Sequence, residues 1–510
     1  MIPQDTATAD EAVPAVSAIR LFKSLRRADI VFFIVAVVIS VDAITALGQG
    51  GPQGLIWTTI LAVVFMIPNA MIFAESAAAF PQEGGPYTWV KRAFGGRWAG
   101  ISSILYWVTN PIWLGGSLAF ITEEAWSGFV FPIADGSWGD YLFKFLFIWV
   151  AIFVAVVSLR RGKVLLNIGA ALKLIVLLVL VVTAVIYVIS HGVARIDAGD
   201  FMPTAAGFLA IVPIALFAVT GFEAPSAASG EMLDAQRDTP IAIARGGVIT
   251  GLAYVLPILA IVLMTPTKQL ENAGVLPTIK SAFDIFGPAA GPLVAILAIF
   301  FTIGLLAQGA GWMVATDRIQ AVASADGTFF NGFFGKFSER LGTPVRMNIL
   351  SGVISTIFFV AAMTLVKGTA GNIFQVVLTC AVSTLLLSYL IIVPALIRLK
   401  VTRPDVPRPY RVPGGTAGFI VLASIQLFFV LVGSIGAVFP GVIEHLLGFT
   451  YSFEDEWGVS QLNYELFTVG TIAVVVIIGL IGYAAAGGVR RRVAAAETTP
   501  HAQTAQNRAE

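Results

Sequence analysis

The sequence predicts an all-α membrane protein, and three observations carry that prediction. Charged residues make up only 12% of the 510-residue chain and apolar residues 57%, where ordinary soluble chains hold roughly 25% charged residues. Mean hydropathy is +0.87. Long apolar runs recur from one end to the other, separated by short turns rich in Gly, Pro and Arg. In water such a chain would expose very large apolar patches, which excludes soluble enzymes, nucleic-acid binders and disordered scaffolds as classes. The formal net charge of +1 points to no general polyanion partner, and no nucleic acid is expected. A single cysteine, Cys380, allows no internal disulfide, and three scattered histidines (His191, His445, His501) suggest no metal site. No cofactor is expected.

A bilayer-spanning helix needs about 20 mostly apolar residues, because its backbone groups must bond within their own segment. Runs of that kind fall near 29–48, 53–79, 100–122, 141–159, 164–190 and 205–228, then 241–265, 289–316, 347–366, 373–398, 416–438 and 464–486. Twelve spans are therefore expected. Placing the amino terminus inside puts 25 of the 31 lysines and arginines on the cytoplasmic side. Only Lys144, Arg195, Lys268, Lys280 and Lys367 then face outward, and Lys173 sits inside a span. That bias predicts a multi-pass protein of the cytoplasmic (inner) membrane with both termini cytoplasmic. The expected divisions are a cytoplasmic segment 1–27, a ten-helix core 28–398, a loop with two peripheral helices over 399–488, and a cytoplasmic tail 489–510. The first twenty residues and the stretch after Arg492 read as disordered from their small polar composition.

Irregularities within the spans narrow the class. Ser40-Val41-Asp42 interrupts the first apolar run, with Thr45 and the Gly48–Pro52 turn close behind. The sixth run holds Phe217-Ala218-Val219-Thr220-Gly221-Phe222-Glu223-Ala224-Pro225, so glycine, carboxylate and proline meet at mid-membrane depth. Proline removes a backbone donor and glycine loosens the helix, which predicts unwinding there. The two breaks occupy corresponding positions in two five-helix halves, 28–190 and 205–398, the pattern of inverted-repeat secondary transporters. Unwound backbone offers N–H groups to a carboxylate and C=O groups to an ammonium. An amino acid carries both.

Four further blocks resemble one family. Pro81-Gln82-Glu83-Gly84-Gly85-Pro86-Tyr87 with Phe94-Gly95 resembles the loop after helix two of the amino acid–polyamine–organocation superfamily. Thr220-Gly221-Phe222-Glu223, with Glu231 and Asp238-Thr239-Pro240, resembles its helix six and the loop that follows. Gly311-Trp312, Asp317-Arg318, Ala325-Asp326-Gly327 and Gly342-Thr343-Pro344-Val345 resemble helix eight and its loop. Arg403-Pro404-Asp405 and Arg408-Pro409-Tyr410-Arg411-Val412-Pro413-Gly414-Gly415 resemble the loop before helix eleven. Ser40-Val41-Asp42-Ala43 stands where many members have a Gly-Ser-Gly-like run, and Ile67-Pro68 ahead of Ala74-Glu75 is similar to the bacterial glutamate/GABA antiporter branch. The resemblance implies a leucine-transporter-like fold of two inverted five-helix repeats plus two peripheral helices, and alternating access to a small substrate. It implies a substrate site built from Ser40, Val41, Asp42, Ala43, Thr220 and Gly221, with Phe217, Phe222 and Trp312 closing over it.

Asp42, Lys173 and Glu223 are costly to bury, at about 2.5 to 3.5 kcal/mol each for a charge at the membrane centre. Some proton-coupled members of the family hold a lysine in helix five where sodium-coupled relatives hold a cation. By that resemblance Lys173 carries the coupling proton or substitutes for sodium. From the residues alone, a fixed ion pair with Asp42 is the alternative. Glu223 either bonds the broken backbone or relays a proton. Tyr106, Trp107 and Trp113 read as lipid-facing or packing residues, and Glu123-Glu124 as charges at the outer end of a span. No phosphate-binding Gly-x-x-x-x-Gly-Lys-Ser/Thr run and no Ser-His-Asp set exists, so neither ATP drive nor enzyme chemistry is indicated. The expected activity is a permease for an amino acid, proton-coupled or exchanging. A polyamine carrier of the same fold is the alternative, and a channel a distant third because no carbonyl filter motif repeats.

Overall fold

Runs of apolar residues close their backbone hydrogen bonds as helices, and the computed structural model shows how these helices are laid side by side and where two of them fail. It describes residues 23–157, 159–266, 280, 282–365, 370–493 and 495. The helices, in chain order, are α1 (Arg27–Val38), α2 (Val41–Gln49), α3 (Gly51–Ala79), α4 (Gly85–Phe94), α5 (Gly96–Phe129) and α6 (Trp138–Val156). Then come α7 (Leu159–His191), α8 (Ala205–Ala218), α9 (Ala235–Met264), α10 (Ala290–Ala325) and α11 (Val345–Leu365). The series ends with α12 (Ala370–Thr402), α13 (Gly415–Val438), two short helices, and α14 (Gln461–Ala485). Among the described residues there is no strand, and ten helices are long and apolar enough to cross a bilayer, or eleven if the bent pair α1–α2 is one span. Helix α8 is apolar but shorter. The two terminal stretches expected to be disordered lie almost wholly outside the described residues.

Ten of the twelve expected spans fall on long apolar helices, and three expected spans depart from the helices in instructive ways. The first span is two helices bent by 42° across Ile39–Ser40. The sixth is not one helix over 205–228: α8 stops at Ala218, a turn covers 219–223, and a 3₁₀ segment runs over Ala224–Glu231. The eighth continues nine residues past Thr316 to Ala325, so that Asp317 and Arg318, expected in a loop, are helical and buried.

Prolines and close glycines shape the scaffold. Pro68 cannot donate to the preceding turn, and the chain passes through a π-helical stretch, Ala62–Met66, just ahead of it. A second wide turn, Leu114–Leu118, follows Pro111 in α5. There Gly115 lets α5 touch α11 backbone: an added Cβ would lie 2.0 Å from the Ser355 carbonyl oxygen. One face of the bundle, called here the N-terminal face, gathers the start of α1, the α3–α4 loop and the start of α9. There Ser24 and Leu25 donate backbone N–H groups to the Glu231 carbonyl at 2.8 and 3.0 Å. On the opposite face Gln53 bonds the carbonyls of Asp200 and Met202.

Candidate substrate site

The break between α1 and α2 frees carbonyls that α-helix geometry would have used, and side chains from three distant helices take them. Lys173 of α7 donates from Nζ to the carbonyls of Ala36 (2.8 Å) and Ile39 (2.6 Å) and to Gln308 Oε1 (2.8 Å). Trp312 of α10 donates its indole N–H to the Val37 carbonyl at 2.8 Å. Tyr254 of α9 donates its hydroxyl to the Val38 carbonyl at 2.9 Å and accepts the Ser40 N–H at 2.8 Å. Gln308 Nε2 completes the ring by donating to Ser40 Oγ at 2.9 Å. Four successive carbonyls are thus occupied. A buried donor or acceptor left unmade costs about 1–3 kcal/mol, so this web defines where the helix is allowed to break.

Asp42 sits in the first turn of α2, just past the break, and is fully buried. Its two oxygens accept from neutral donors only: Ser40 Oγ at 2.6 Å and the Trp113 indole at 2.9 Å. Among the described residues it forms no ion pair, and Lys173 is engaged with carbonyls instead. The wide turn after Pro111 lies directly beyond Trp113, whose ring also meets Phe217 edge-on at 5.5 Å.

The second break differs. Gly221 adopts φ +108°, a conformation only glycine takes without strain, and an added Cβ would lie 2.9 Å from the Trp312 ring. Thr220 turns its hydroxyl back onto the Phe217 carbonyl at 2.8 Å, and Asn69 of α3 reaches the Val219 carbonyl at 3.3 Å. Glu223 is fully buried, and its Oε1 accepts from the Tyr106 hydroxyl at 2.7 Å. Its Oε2 has no hydrogen-bond partner, nor has the Tyr389 hydroxyl, which faces the same carboxyl from α12. Trp312 spans both breaks, with its indole N–H on Val37, its six-membered ring against Gly221, and Tyr106 at 6.2 Å.

Ser40, Asp42, Phe217, Gly221, Glu223 and Trp312, all expected at the site, thus converge with Lys173 around one centre. Val41 points elsewhere, into an apolar pocket whose lining includes Ile44, Thr45, Leu177 and Phe301. Ala43 is buried beside the break. Phe222 packs against α9 near Gly247, apart from the Trp312 ring. Sequence reasoning missed Tyr254, Gln308 and Tyr389. It also misread Tyr106, Trp107 and Trp113 as lipid-facing or packing residues: all three are buried and donate hydrogen bonds to the carboxylates of Glu223, Asp317 and Asp42 respectively. Glu123, read as a cheap surface charge, is buried near Lys144 at 3.6 Å.

Comparison with known proteins fits this geometry. The sequence model of a family described as amino acid permease matches residues 25–451. The chain is 24% identical over 409 residues to a probable agmatine/putrescine antiporter of Lactococcus lactis, covering 80% of this chain and 86% of that one. An uncharacterized transporter of Legionella pneumophila is 25% identical over 414 residues, 79% of this chain and 87% of the relative. The cadaverine/lysine antiporter of Escherichia coli is 25% identical over 358 residues, 68% of this chain and 76% of the relative.

Proposed function

The chain belongs to the amino acid permease family of the amino acid–polyamine–organocation superfamily, a multi-pass membrane transporter and not an enzyme, and from that premise we propose that it exchanges small cationic amines by alternating access. The substrate class includes diamines and amino acids with a positively charged side chain. One observation carries this reading. Among the described residues Asp42 and Glu223 flank the two breaks without a direct ion pair, while Lys173, a buried cation near enough to act on Asp42 through space, spends its hydrogen bonds on the Ala36 and Ile39 carbonyls and Gln308. A buried carboxylate without a counter-charge is costly. A substrate that brings its own positive charge would supply it. The aromatic groups of Trp113, Phe217, Trp312 and Tyr106 suit the same ligand, since a cation is attracted to a ring face. The names of two relatives, agmatine/putrescine and cadaverine/lysine antiporters, point the same way.

In this reading Ser40, Asp42, Thr220 and Gly221, with the backbone of Val41 and Ala43, form the polar part of the site, and Phe217 and Trp312 the aromatic part, while Phe222, packed against α9, supports it. Glu223 relays the coupling proton beside Tyr106 and Tyr389, and Lys173 is the fixed cation that holds α1 open. The ten long helices, the bent pair and α8 supply twelve crossings, arranged as repeats 28–190 and 205–398 with both termini cytoplasmic. Support for the repeat comes from the two breaks falling in the first helix of each half. A zwitterionic amino acid is the second reading. It is favoured by the start of α2 at Val41, whose leading N–H groups suit a carboxylate.

Thermal unfolding of the purified protein tests the class directly, because a ligand that binds the folded state raises its apparent stability. Agmatine, putrescine, cadaverine and lysine are expected to raise the melting temperature in proportion to log concentration. Stabilisation by glutamate or γ-aminobutyrate alone would overturn the cationic reading.

A further inference from the structure

The second set of buried charges lies away from both breaks, at the N-terminal face. Arg318 is 1% exposed and donates from Nη1 to Glu83 Oε1 at 2.9 Å and from Nη2 to Glu231 Oε1 at 2.5 Å. It also reaches the Gly342 carbonyl at 3.1 Å, and Gly230 N–H donates to Glu83 Oε2 at 2.9 Å. The Glu231 carbonyl holds Ser24 and Leu25. Five separate pieces of chain therefore meet in one knot: the lead into α1, the α3–α4 loop, the 3₁₀ end of the sixth span, α10, and the loop before α11. Beneath it run Ala227 and Ser229, on the chain leading down from the second break. Opening this face requires the knot to come apart.

We propose that Glu83, Glu231 and Arg318 form a proton-binding latch, which closes the N-terminal face while Glu83 holds a proton and releases it when that proton leaves. The charge count carries the argument. Two buried carboxylates face one guanidinium, and a net negative charge away from water is unfavourable unless a proton or cation joins it. Among the described residues no neighbouring cation is free to do so. Lys91 is paired with Asp326, which also accepts from Tyr87; Arg27 is paired with Asp238, and Lys163 with Asp29. Lys23, Arg237, Lys336 and Arg340 are exposed, as are the acids Asp234 and Glu339. A second buried set, Asp140, Lys144 and Glu123, has the same count but joins only the neighbouring helices α5 and α6, so no opening separates it.

Burial pushes the Glu83 carboxyl up to about 7; Arg318 opposes the rise and Glu231 adds to it. In the open state, with Glu83 in water, its value returns toward about 4.3. The closed state therefore gains from the proton, fully so below the open-state value, and loses that gain as pH rises through about 7. Opening is favoured by alkaline conditions on this face.

The test needs neither substrate nor gradient, so its failure is distinct from failure of the cationic-amine reading. Cys380, the only cysteine, is replaced by Ala, and Ser229→Cys is introduced behind the latch. Modification by a thiol reagent is timed in the full-length protein from pH 5.5 to 7.5, with and without Glu83→Gln. Taking the ratio of the two rates at each pH cancels the pH dependence of the thiol itself. That ratio is expected to rise about twentyfold across the range. Glu231→Gln, which also leaves one carboxylate for one guanidinium, is the second comparison should Glu83→Gln fold poorly. A ratio that stays constant with pH overturns the latch.

Discussion

The two helix breaks solve one problem in opposite ways. At the first, between α1 and α2, the carbonyls of Ala36, Val37, Val38 and Ile39 are all taken by side chains of α7, α9 and α10, and Ser40 N–H by Tyr254. At the second, Gly221 carries the turn through backbone freedom, and Glu223 keeps one oxygen unpartnered opposite an unpartnered tyrosine hydroxyl. The first break has its freed carbonyls braced by cross-helix donors, whereas the second is turned by Gly221 and the local Thr220–Phe217 bond, with Asn69 and Tyr106 its cross-helix donors. In the cationic-amine reading the first is therefore the fixed reference of the site, and the second the part whose bonds change as substrate and proton come and go.

That contrast is sharpened by substitutions at four positions, taken from the largest expected effect on stability to the smallest. Lys173→Ala strips donors from two buried carbonyls and Gln308 at once, and is expected to cost about 3 kcal/mol of folding stability and abolish transport. Lys173→Arg restores little, because a planar guanidinium does not match the tight geometry around Nζ. Gly221→Ala is expected to cost about 2 kcal/mol, read as a lowered melting temperature, since it adds a methyl against Trp312 at a φ unsuited to an L side chain. Tyr254→Phe leaves the Val38 carbonyl and Ser40 N–H unpaired and is expected to cost about 1–2 kcal/mol in the same assay. Glu223→Gln is expected to change stability by less than about 1 kcal/mol, because one hydrogen bond from Tyr106 can persist. Its exchange rate should nevertheless fall more than tenfold and lose its response to a proton gradient. Equal stability losses for Lys173→Ala and Glu223→Gln would erase the distinction between the breaks.

Much of this arrangement could be read from composition and order. The positions of both breaks follow from Ser40-Val41-Asp42 and from Gly221 with Pro225, because backbone chemistry is local. Lys173 and Glu223 stood out because a charge in an apolar run has few structural excuses. Tyr254, Gln308 and Tyr389 were illegible for the converse reason. Tyrosine and glutamine sit cheaply in apolar runs, and their partners lie far along the chain: 216 residues separate Tyr254 from Val38, and 268 separate Gln308 from Ser40. Asp317-Arg318 shows the same limit from the other side. Adjacent charges look like a loop, yet Trp107, Ser351 and Asn348 satisfy the carboxylate while Glu83 and Glu231 satisfy the guanidinium, and the helix runs on. Tertiary partners removed a cost that sequence alone must charge in full.

The role of the uncompensated carboxylates is tested most directly by counterflow in liposomes. Vesicles loaded with unlabelled putrescine, lysine, glutamate or γ-aminobutyrate are given a trace of labelled putrescine outside, using the native protein and Asp42→Asn. The native protein is expected to accumulate label only against the cationic loads, and Asp42→Asn to lose that accumulation. Accumulation driven by glutamate or γ-aminobutyrate, or undiminished in Asp42→Asn, contradicts the account.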